Sequence, residues 1–238
     1  MEKTFEESWF HAPLEAVGDR AILSAEESHH LRKVLRVQLG RCVVASNGAG
    51  GVFLCETQAK GDLVELIALD QLAGETVPPN LNLVLSLLKG RDLEEPVEGL
   101  CQLPIHAIHI VTTDHTQEFK AQGHGKLVER LRAKSLVALK QAKKAWLTEI
   151  HEPIPLRNWR RDYPDIVLIL VHPGEDKLPE KPEGPFGVLT GPEGGFSTLE
   201  LDWLMGSGGY SIGLGTTRIR GTHAPLLACG KLMGMAWI

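Results

Sequence analysis

The chain has 238 residues and a formal net charge of −5, from 25 Lys and Arg against 30 Asp and Glu. Its 43% hydrophobic content is enough for a buried core, but no apolar run approaches the length of a membrane span, and the N-terminus (Met1–Glu7) is too acidic for a signal peptide. The four cysteines form no Cys-x-x-Cys pair and the histidines lack zinc-site spacing, so we expect reduced thiols, no metal and a cytoplasmic protein.

Residues up to about 70 predict a small β-rich domain. A short strand at 21–23 precedes Ser24 and Glu27, whose spacing is that of a capping box at the start of a helix. Three β-type runs follow, at 41–46, 51–57 and 63–68. The sequence Asn-Gly-Ala-Gly at 47–50 joins the first two runs and is typical of a hairpin.

Beyond residue 80 apolar strands alternate with helices. Strands are predicted at 81–88, 105–111, 165–171, 187–190 and 210–214, and helices at 91–103, from 124 onward, at 198–205 and at 224–237. This alternation is typical of an α/β domain with a mostly parallel sheet covered on both faces. Because Gly74, Pro78 and Pro79 break any regular element, we divide the chain into domains 1–74 and 75–238.

Ligands of such sheets bind at the carboxyl ends of the strands, and three strand ends here carry glycine. They lead into the loops 171–174, 189–197 and 212–218. In the second loop, Gly191 and its neighbouring glycines allow close backbone approach, and Ser197 with Glu200 forms another capping box. The loop therefore predicts exposed N–H groups beside a positive helix end, which suit an anionic group of a ligand; the alternative is a plain strand-to-helix turn.

The third loop argues against a dinucleotide-binding fold. Gly213 and Gly215 begin a Gly-x-Gly-x-x-Gly fingerprint, but Arg218 stands where the third glycine belongs. The sequence also lacks the Gly-x-x-x-x-Gly-Lys-Ser/Thr phosphate loop.

Two stretches are locally basic despite the net negative charge. Residues 29–41 hold four Lys and Arg and no carboxylate, and residues 124–144 hold seven against the single acid Glu129. Phosphate binding requires such local positive surfaces, since distant acidic surface is screened. The alternative is a pair of solvated amphipathic helices.

The string Leu-Thr-Gly-Pro-Glu-Gly-Gly-Phe-Ser at 189–197 resembles the signature of the SPOUT-class methyltransferases that methylate N3 of a uridine in 16S ribosomal RNA (the RsmE type). Three further segments are similar to that family: His-His-Leu-Arg-Lys-Val-Leu-Arg at 29–36, Leu-Lys-Gln-Ala-Lys-Lys at 139–144, and Ile-Gly-Leu-Gly at 212–215. The likeness spans nearly the whole chain.

The resemblance implies a PUA-like RNA-binding β-barrel at 1–74 and a SPOUT methyltransferase domain, tied in a deep trefoil knot, at 75–238. It also implies S-adenosylmethionine bound in a bent pose among the three loops, and a homodimer whose interface completes the site. The expected partner is 16S ribosomal RNA or the small ribosomal subunit.

The resemblance also implies the site residues. The cofactor would be bound by His172, Leu189, Gly191, Gly195, Ile212, Leu214 and Gly215. RNA would be bound by His29, His30, Arg36, Lys140, Gln141, Lys143 and Lys144. Since adjacent helical residues diverge by about 100°, we expect one of the two histidines to pack against the barrel and the other to face RNA.

The chemistry would fall to two residues. Glu193 is a candidate base for the N3 proton, with bracing of the loop as its alternative role, and Arg220 is a candidate for stabilising negative charge on the uracil carbonyls. One departure affects this expectation: Gly221-Thr222-His223 stands where the family has Thr-Glu-Thr. Two alternatives therefore remain open: a methyltransferase of the same class acting on another RNA, and an RNA-binding relative without activity.

Overall fold

The computed structural model describes residues 8–72, 77–88, 92–116, 124–174, 176–206, 209–217 and 219–238. The predictions that rest on the acidic residues 1–7, on Gly74, on Arg91 and on Arg218 lie outside these ranges. The described chain forms two compact units. The first comprises residues up to Pro78 together with Leu136–Leu147, and the second comprises Pro79–Ser135 and Thr148–Ile238.

The first unit is a five-stranded curled sheet around its own core. Its strands are β1 (Trp9–His11), β2 (Arg20–Ile22), β3 (Cys42–Ser46), β4 (Val52–Lys60) and β5 (Leu63–Leu72), in the order β1-β3-β4-β5-β2. The β1–β3 pair is parallel and the other pairs are antiparallel. The alternating apolar positions of the strands explain the core, since side chains such as Phe10, Val43, Phe53 and Leu66 point to one face and are buried.

The helical segment of this unit begins at the predicted capping box. The side-chain oxygen of Ser24 accepts a hydrogen bond of 3.2 Å from the backbone N–H of Glu27, and α1 spans Ala25–His29. The helix then widens into a π-helical turn at His30–Val34. Ser28 and Leu31 occupy its buried face.

The second unit contains the predicted parallel sheet. Its strands are β6 (Leu81–Ser86), β7 (Ile105–Thr112), β8 (Glu149–Ile150), β9 (Ile154–Pro155), β10 (Val167–Val171), β11 (Phe186–Thr190) and β12 (Tyr210–Ile212). The order is β12-β10-β11-β6-β7-β8, with β9 also paired to β7, and each of these pairs is parallel. The carboxyl ends of β10, β11 and β12 are therefore adjacent at one edge of the sheet.

Helices connect these strands. They are α2 (Glu94–Leu100), α3 (His124–Gln141), α4 (Leu156–Asp162), α5 (Thr198–Gly206) and α6 (Ala224–Gly234). The C-terminal part of α3, from Leu136, belongs to the first unit. The sequence therefore predicted every long element, but it missed the short elements β1, β8, β9 and α4, whose two to seven residues are too few to display a period.

The structure also bears on the predictions about membrane helices and cysteines. Within the described ranges, no helix combines the length and the apolarity that a membrane crossing needs. The four cysteines are free thiols, and three of them are buried.

Candidate functional site

A cavity of about 550 Å³ lies in the second unit, where β10, β11 and β12 end. Its walls come from all three glycine-bearing loops predicted from the sequence. Five of the predicted ligand-binding residues line it: His172, Gly191, Gly195, Leu214 and Gly215. The volume is in the range typical of small-molecule sites in proteins.

Two predicted residues do not line this cavity. Leu189 and Ile212 are fully buried within β11 and β12. Their side chains belong to the sheet core, because each stands before the point where its strand gives way to a loop. Their contribution to ligand binding is therefore restricted to backbone groups.

The glycines of the second loop are required for different reasons. A Cβ at Gly191 would lie 2.8 Å from Cε2 of Phe196, so the Phe196 ring packs where a side chain would stand. At Gly195 a Cβ would meet no atom within 4 Å, but φ is +72°, a left-handed conformation that residues other than glycine adopt at a cost. Crowding thus explains Gly191, and backbone conformation explains Gly195.

The helix terminus beside this loop is occupied by the protein's own carboxylate. The Glu200 side chain accepts the Ser197 N–H at 3.0 Å, and the Ser197 hydroxyl oxygen accepts the Glu200 N–H at 3.2 Å. Both arms of the predicted capping box are therefore present. The N–H groups of Ser197 and Glu200 are satisfied within the chain, so the prediction that N–H groups of this loop serve an anionic group of a ligand concerns the other residues of the loop.

Glu193 and Arg220 flank the cavity. Glu193 is exposed and lines the cavity within the second loop. Arg220 is exposed between the lining residues Ile219 and Gly221, and its carbonyl oxygen accepts the N–H groups of His223 and Ala224 at the start of α6. The backbone at Arg220 is thus fixed by the helix that follows it.

Several lining residues had no predicted role. They are apolar or hydroxyl-bearing side chains that follow the glycines: Phe196, Leu201, Thr216, Thr217, Ile219 and Ala224. In the sequence these residues are indistinguishable from ordinary core or loop positions. Only the position of the three loops around one cavity identifies them.

The first unit contains a second cavity, of about 480 Å³. Four of the predicted RNA-binding residues line it: His29, His30, Lys140 and Gln141. The expectation that one histidine packs inward is wrong. Both histidines are exposed, because Ser28 and Leu31 fill the buried face of the helical segment.

Most cations of the predicted basic helix are already paired with carboxylates. Arg130 pairs with Glu94, Lys134 with Glu98, Arg132 with Glu152, and Lys140 with Glu27. Arg132 also donates to the carbonyl oxygen of Ile150. The sequence indicated these four cations but not their ion pairs, and RNA binding by Lys140, Lys143 and Lys144 stays a prediction.

Two of the predicted RNA-binding cations have left-handed backbones. Arg36 has φ 54° and Lys143 has φ 53°, and both side chains are exposed. Lys143 follows α3 in a Schellman arrangement, in which the Lys144 N–H donates to the Leu139 carbonyl oxygen at 3.0 Å. Glycine is the usual residue at such positions, so the chain keeps a cation at the expense of backbone strain.

No group of three or more His, Cys, Asp or Glu side chains within the described ranges is arranged to hold a metal ion.

Comparison with known proteins assigns both parts of the chain. A family model described as an RNA methyltransferase domain matches residues 75–233, and one described as an RNA methyltransferase PUA domain matches residues 23–67. Among curated proteins, the chain is 22% identical over 238 residues to the ribosomal RNA small subunit methyltransferase E of Synechocystis; the match covers 93% of this chain and 75% of that protein.

Solved structures share the fold over nearly the whole chain. One is a ribosomal RNA small subunit methyltransferase E from Neisseria gonorrhoeae bound to S-adenosylmethionine, with 22% identity, a TM-score of 0.82, and 96% of this chain and 97% of that chain covered. Another is a Legionella pneumophila protein, described as a methyltransferase in complex with the same cofactor, with 24% identity, a TM-score of 0.82, and coverages of 95% and 97%. The predicted fold, an α/β SPOUT domain with a PUA-like β domain, is confirmed.

Proposed function

Because the chain belongs to the RNA methyltransferase family, we propose that it methylates N3 of a uridine in 16S ribosomal RNA with S-adenosylmethionine as the methyl donor. The observation that supports this proposal most strongly is that three glycine-bearing strand ends surround one cavity of about 550 Å³. The names of the Synechocystis and Neisseria relatives supply the RNA and the cofactor.

The residues around this cavity fit the cofactor. Gly215 has open space where a Cβ would stand, so its backbone groups are accessible, and Phe196, Leu201 and Leu214 offer apolar surface to the uncharged part of the cofactor. His172, Gly191, Gly195, Leu214 and Gly215 would hold it, with backbone contributions from Leu189 and Ile212. When bound, S-adenosylmethionine supplies an electrophilic methyl group on a sulfonium.

In this proposal the protein's own residues align the uridine, remove the N3 proton and stabilise the negative charge that develops on the base. N3 lies on the Watson–Crick edge, so the base must be unpaired before it is presented to the cavity. Glu193, exposed on the cavity wall, would accept the N3 proton. Arg220, exposed between two lining residues of the cavity, would stabilise negative charge on the uracil carbonyl oxygens. Alignment is the main demand of this in-line displacement, and well-oriented intramolecular reactions gain up to about 7–11 kcal/mol from it.

RNA binding falls to the first unit in this proposal. Arg36 and Lys143 are exposed cations at strained positions, which supports a functional reason for their presence. His29, His30 and Gln141, which line the cavity of this unit, would contact bases or sugar. Lys144 would contact the RNA beside Lys143. Lys140 is bound to Glu27, so its main role is to fix the wall of that cavity.

We further propose a homodimer with a trefoil-knotted second domain, in the cytoplasm. The support for the dimer is α6 and the residue after it, where Leu226, Leu227, Met233 and Met235 are 43–48% exposed. Exposed large apolar side chains grouped at one helix suit a partner surface. The knot and the cellular location rest on the family alone.

The decisive experiment measures methylation and cofactor binding together. Calorimetry should detect S-adenosylmethionine binding at one site per subunit, and a strain that lacks this protein should lose one N3-methyluridine from its 16S ribosomal RNA. Absence of binding of both S-adenosylmethionine and S-adenosylhomocysteine up to millimolar concentration would exclude the enzyme. Loss of a methyl group from another RNA would change the substrate but keep the reaction.

The alternative of an RNA-binding protein without activity is based on the Gly221-Thr222-His223 segment, which differs from the Thr-Glu-Thr of the family. A Cβ at Gly221 would lie 3.5 Å from Leu88 Cδ2 and 3.7 Å from the Gly191 carbonyl oxygen, both ordinary contacts, so a Cβ itself is tolerated here. Glycine at this position therefore does not result from crowding. A protein that binds the cofactor and RNA but transfers no methyl group would support this alternative.

A further inference from the structure

The turn after β7 is linked by several hydrogen bonds to the second glycine-bearing loop, residues 189–197, which is called the second cofactor loop below. This turn, Thr113–Thr116, is closed by the Thr116 N–H, which donates to the Thr113 carbonyl oxygen at 2.9 Å. The Thr116 side-chain oxygen also accepts the Thr113 N–H at 2.8 Å. β7 is separated from β11 by β6 in the sheet, so the turn reaches across one strand to the loop that lines the cavity.

Glu200 is the common anchor of the two segments. Glu200 as a residue is 3% exposed, and its carboxylate accepts the N–H of Asp114 at 2.9 Å on one oxygen and that of Ser197 at 3.0 Å on the other. A buried carboxylate requires such partners, because its desolvation is otherwise costly. The Asp114 carboxylate in turn accepts the Ser197 hydroxyl at 2.6 Å. The end of the cofactor loop is thus held from both sides.

His115 fixes the middle of the same loop. Its Nδ1 lies 3.1 Å from the Gly195 carbonyl oxygen, which can only accept, so Nδ1 carries the hydrogen. The bond determines the orientation of the Gly195–Phe196 peptide group, whose N–H points opposite to its C=O. His115 also packs beside Gly194, where a Cβ would lie 3.3 Å from the histidine Cβ. Gly195 has a left-handed backbone, so this peptide is not held by regular structure.

We propose that Asp114, His115 and Glu200 are positioning residues, which hold the loop from Gly191 to Ser197 in the conformation that accepts S-adenosylmethionine. The inference rests on the proposed function. The order of the loop, however, is a property of the free protein and can be measured without the ligand. A preorganised loop binds more tightly because less conformational entropy is lost on binding.

The test compares His115→Ala with His115→Asn. The asparagine amide nitrogen occupies nearly the same position as Nδ1 and can donate the same bond, whereas alanine cannot. His115→Ala should raise the Kd for S-adenosylmethionine about fivefold, the size expected from the loss of one neutral hydrogen bond, and His115→Asn should restore most of the affinity. Because His115 is exposed, the melting temperature should change little in either variant.

Hydrogen exchange of the ligand-free protein supplies a second readout. In His115→Ala the amides of residues 193–197 should exchange faster, while the paired amides of Lys177 and Ser211 serve as an internal control and stay protected. Unchanged exchange and unchanged affinity in His115→Ala would overturn the inference. If the unmodified protein binds no S-adenosylmethionine, the proposed function fails, and the exchange comparison still decides whether the loop is held in this way.

Discussion

Nζ of Lys231 lies 2.7 Å from Oδ2 of Asp176 and also donates to the Gly213 carbonyl oxygen at 2.8 Å. Oδ1 of Asp176 accepts the Gly213 N–H at 2.9 Å. A residue of α6 and one from the loop after β10 therefore hold both backbone groups of Gly213, at the start of the third cofactor loop. The Lys231 hydrogen bond and the Gly213 N–H lower the pKa of Asp176, so its carboxylate stays charged at neutral pH.

Removal of this link should weaken cofactor binding more than folding. Lys231→Met keeps the aliphatic chain but removes both hydrogen bonds, and we expect a several-fold higher Kd for S-adenosylmethionine by calorimetry. Both side chains are about one third exposed, so the stability loss should be at most about 1 kcal/mol. Lys231→Arg, which can donate to the same acceptors, is the matched control. Equal affinity in Lys231→Met and the unmodified protein would contradict the role of the link.

Substitution of the loop glycines should separate crowding from backbone strain. Gly195→Ala places a side chain at φ +72° and should cost roughly 1 kcal/mol. Gly191→Ala must displace the Phe196 ring and should alter cofactor binding more strongly. The control is Gly206→Ala in α5, where a Cβ meets nothing within 4 Å. Chemical denaturation and calorimetry measure the two effects, and a larger binding defect in Gly206→Ala than in Gly191→Ala would refute this account.

Substitution of the left-handed cations should stabilise the fold and weaken RNA binding. Arg36→Gly relieves strain, so the free energy of unfolding should rise by about 1 kcal/mol, whereas Arg36→Ala keeps the strain and should not gain. Both variants should bind matched and mismatched RNA less tightly, since phosphate contacts carry no sequence information.

The salt dependence of RNA binding provides the quantitative check. In Lys143→Gly the slope of log affinity against log salt should flatten by roughly 0.7–0.9, the value for one lost phosphate contact. Lys140→Ala should change the slope less, because that ammonium is paired with Glu27. The opposite order would mean that the ion pair opens on RNA binding and that Lys140 is the phosphate ligand.

Acid should destabilise the second unit through a buried histidine. Burial, followed by the neighbouring His151 and His106, lowers the pKa of His109 to about 3. Its ring stacks on His151 with centroids 4.4 Å apart, and its Nε2 lies 3.3 Å from the Asn82 side-chain oxygen.

The direction in which stability changes with pH follows from the number of protons bound by the folded and unfolded chains. Between pH 6.5 and about 3 the unfolded chain binds a proton at this residue that the folded chain does not, so stability falls as the pH falls through this window. The slope from one such group approaches about 1.4 kcal/mol per pH unit. In His109→Gln this component should vanish from urea unfolding curves measured between pH 7 and 5. An identical pH dependence in both proteins would assign the acid sensitivity to other groups.

The dimer proposal is tested by Met233→Lys combined with Leu227→Lys. Both side chains are nearly half exposed on α6, so folding of the subunit should be unaffected, while burial of two charges in an apolar interface would be costly. Sedimentation should give a dimer for the unmodified protein and a monomer for the variant. A monomeric unmodified protein at micromolar concentration would count against a shared site.

The sequence predicted what depends on periodicity and on glycine. The strands β6 and β11 are short, mostly apolar runs, and the capping box of Ser197 and Glu200 marked the start of α5. It could not predict the partners of charged groups. Arg130 and Glu94 are 36 residues apart and become an ion pair only after folding. The ion pairs of the basic helix were therefore missed, and the Glu200 anchor was missed because its partner Asp114 is distant in sequence.

The assignment of Leu136–Leu147 to the first unit has a consequence for biosynthesis. Ala145 accepts hydrogen bonds from the Ser46 hydroxyl and from the Gly50 N–H, and Trp146 pairs with Ala49, so the connection between β3 and β4 is bound to these later residues. A ribosome that makes this chain must therefore translate the whole of residues 79–135 before the N-terminal unit can close. Until then the N-terminal β sheet lacks the contacts that residues 136–147 supply. A fragment that ends at residue 74 does not contain these residues and would lack the contacts permanently.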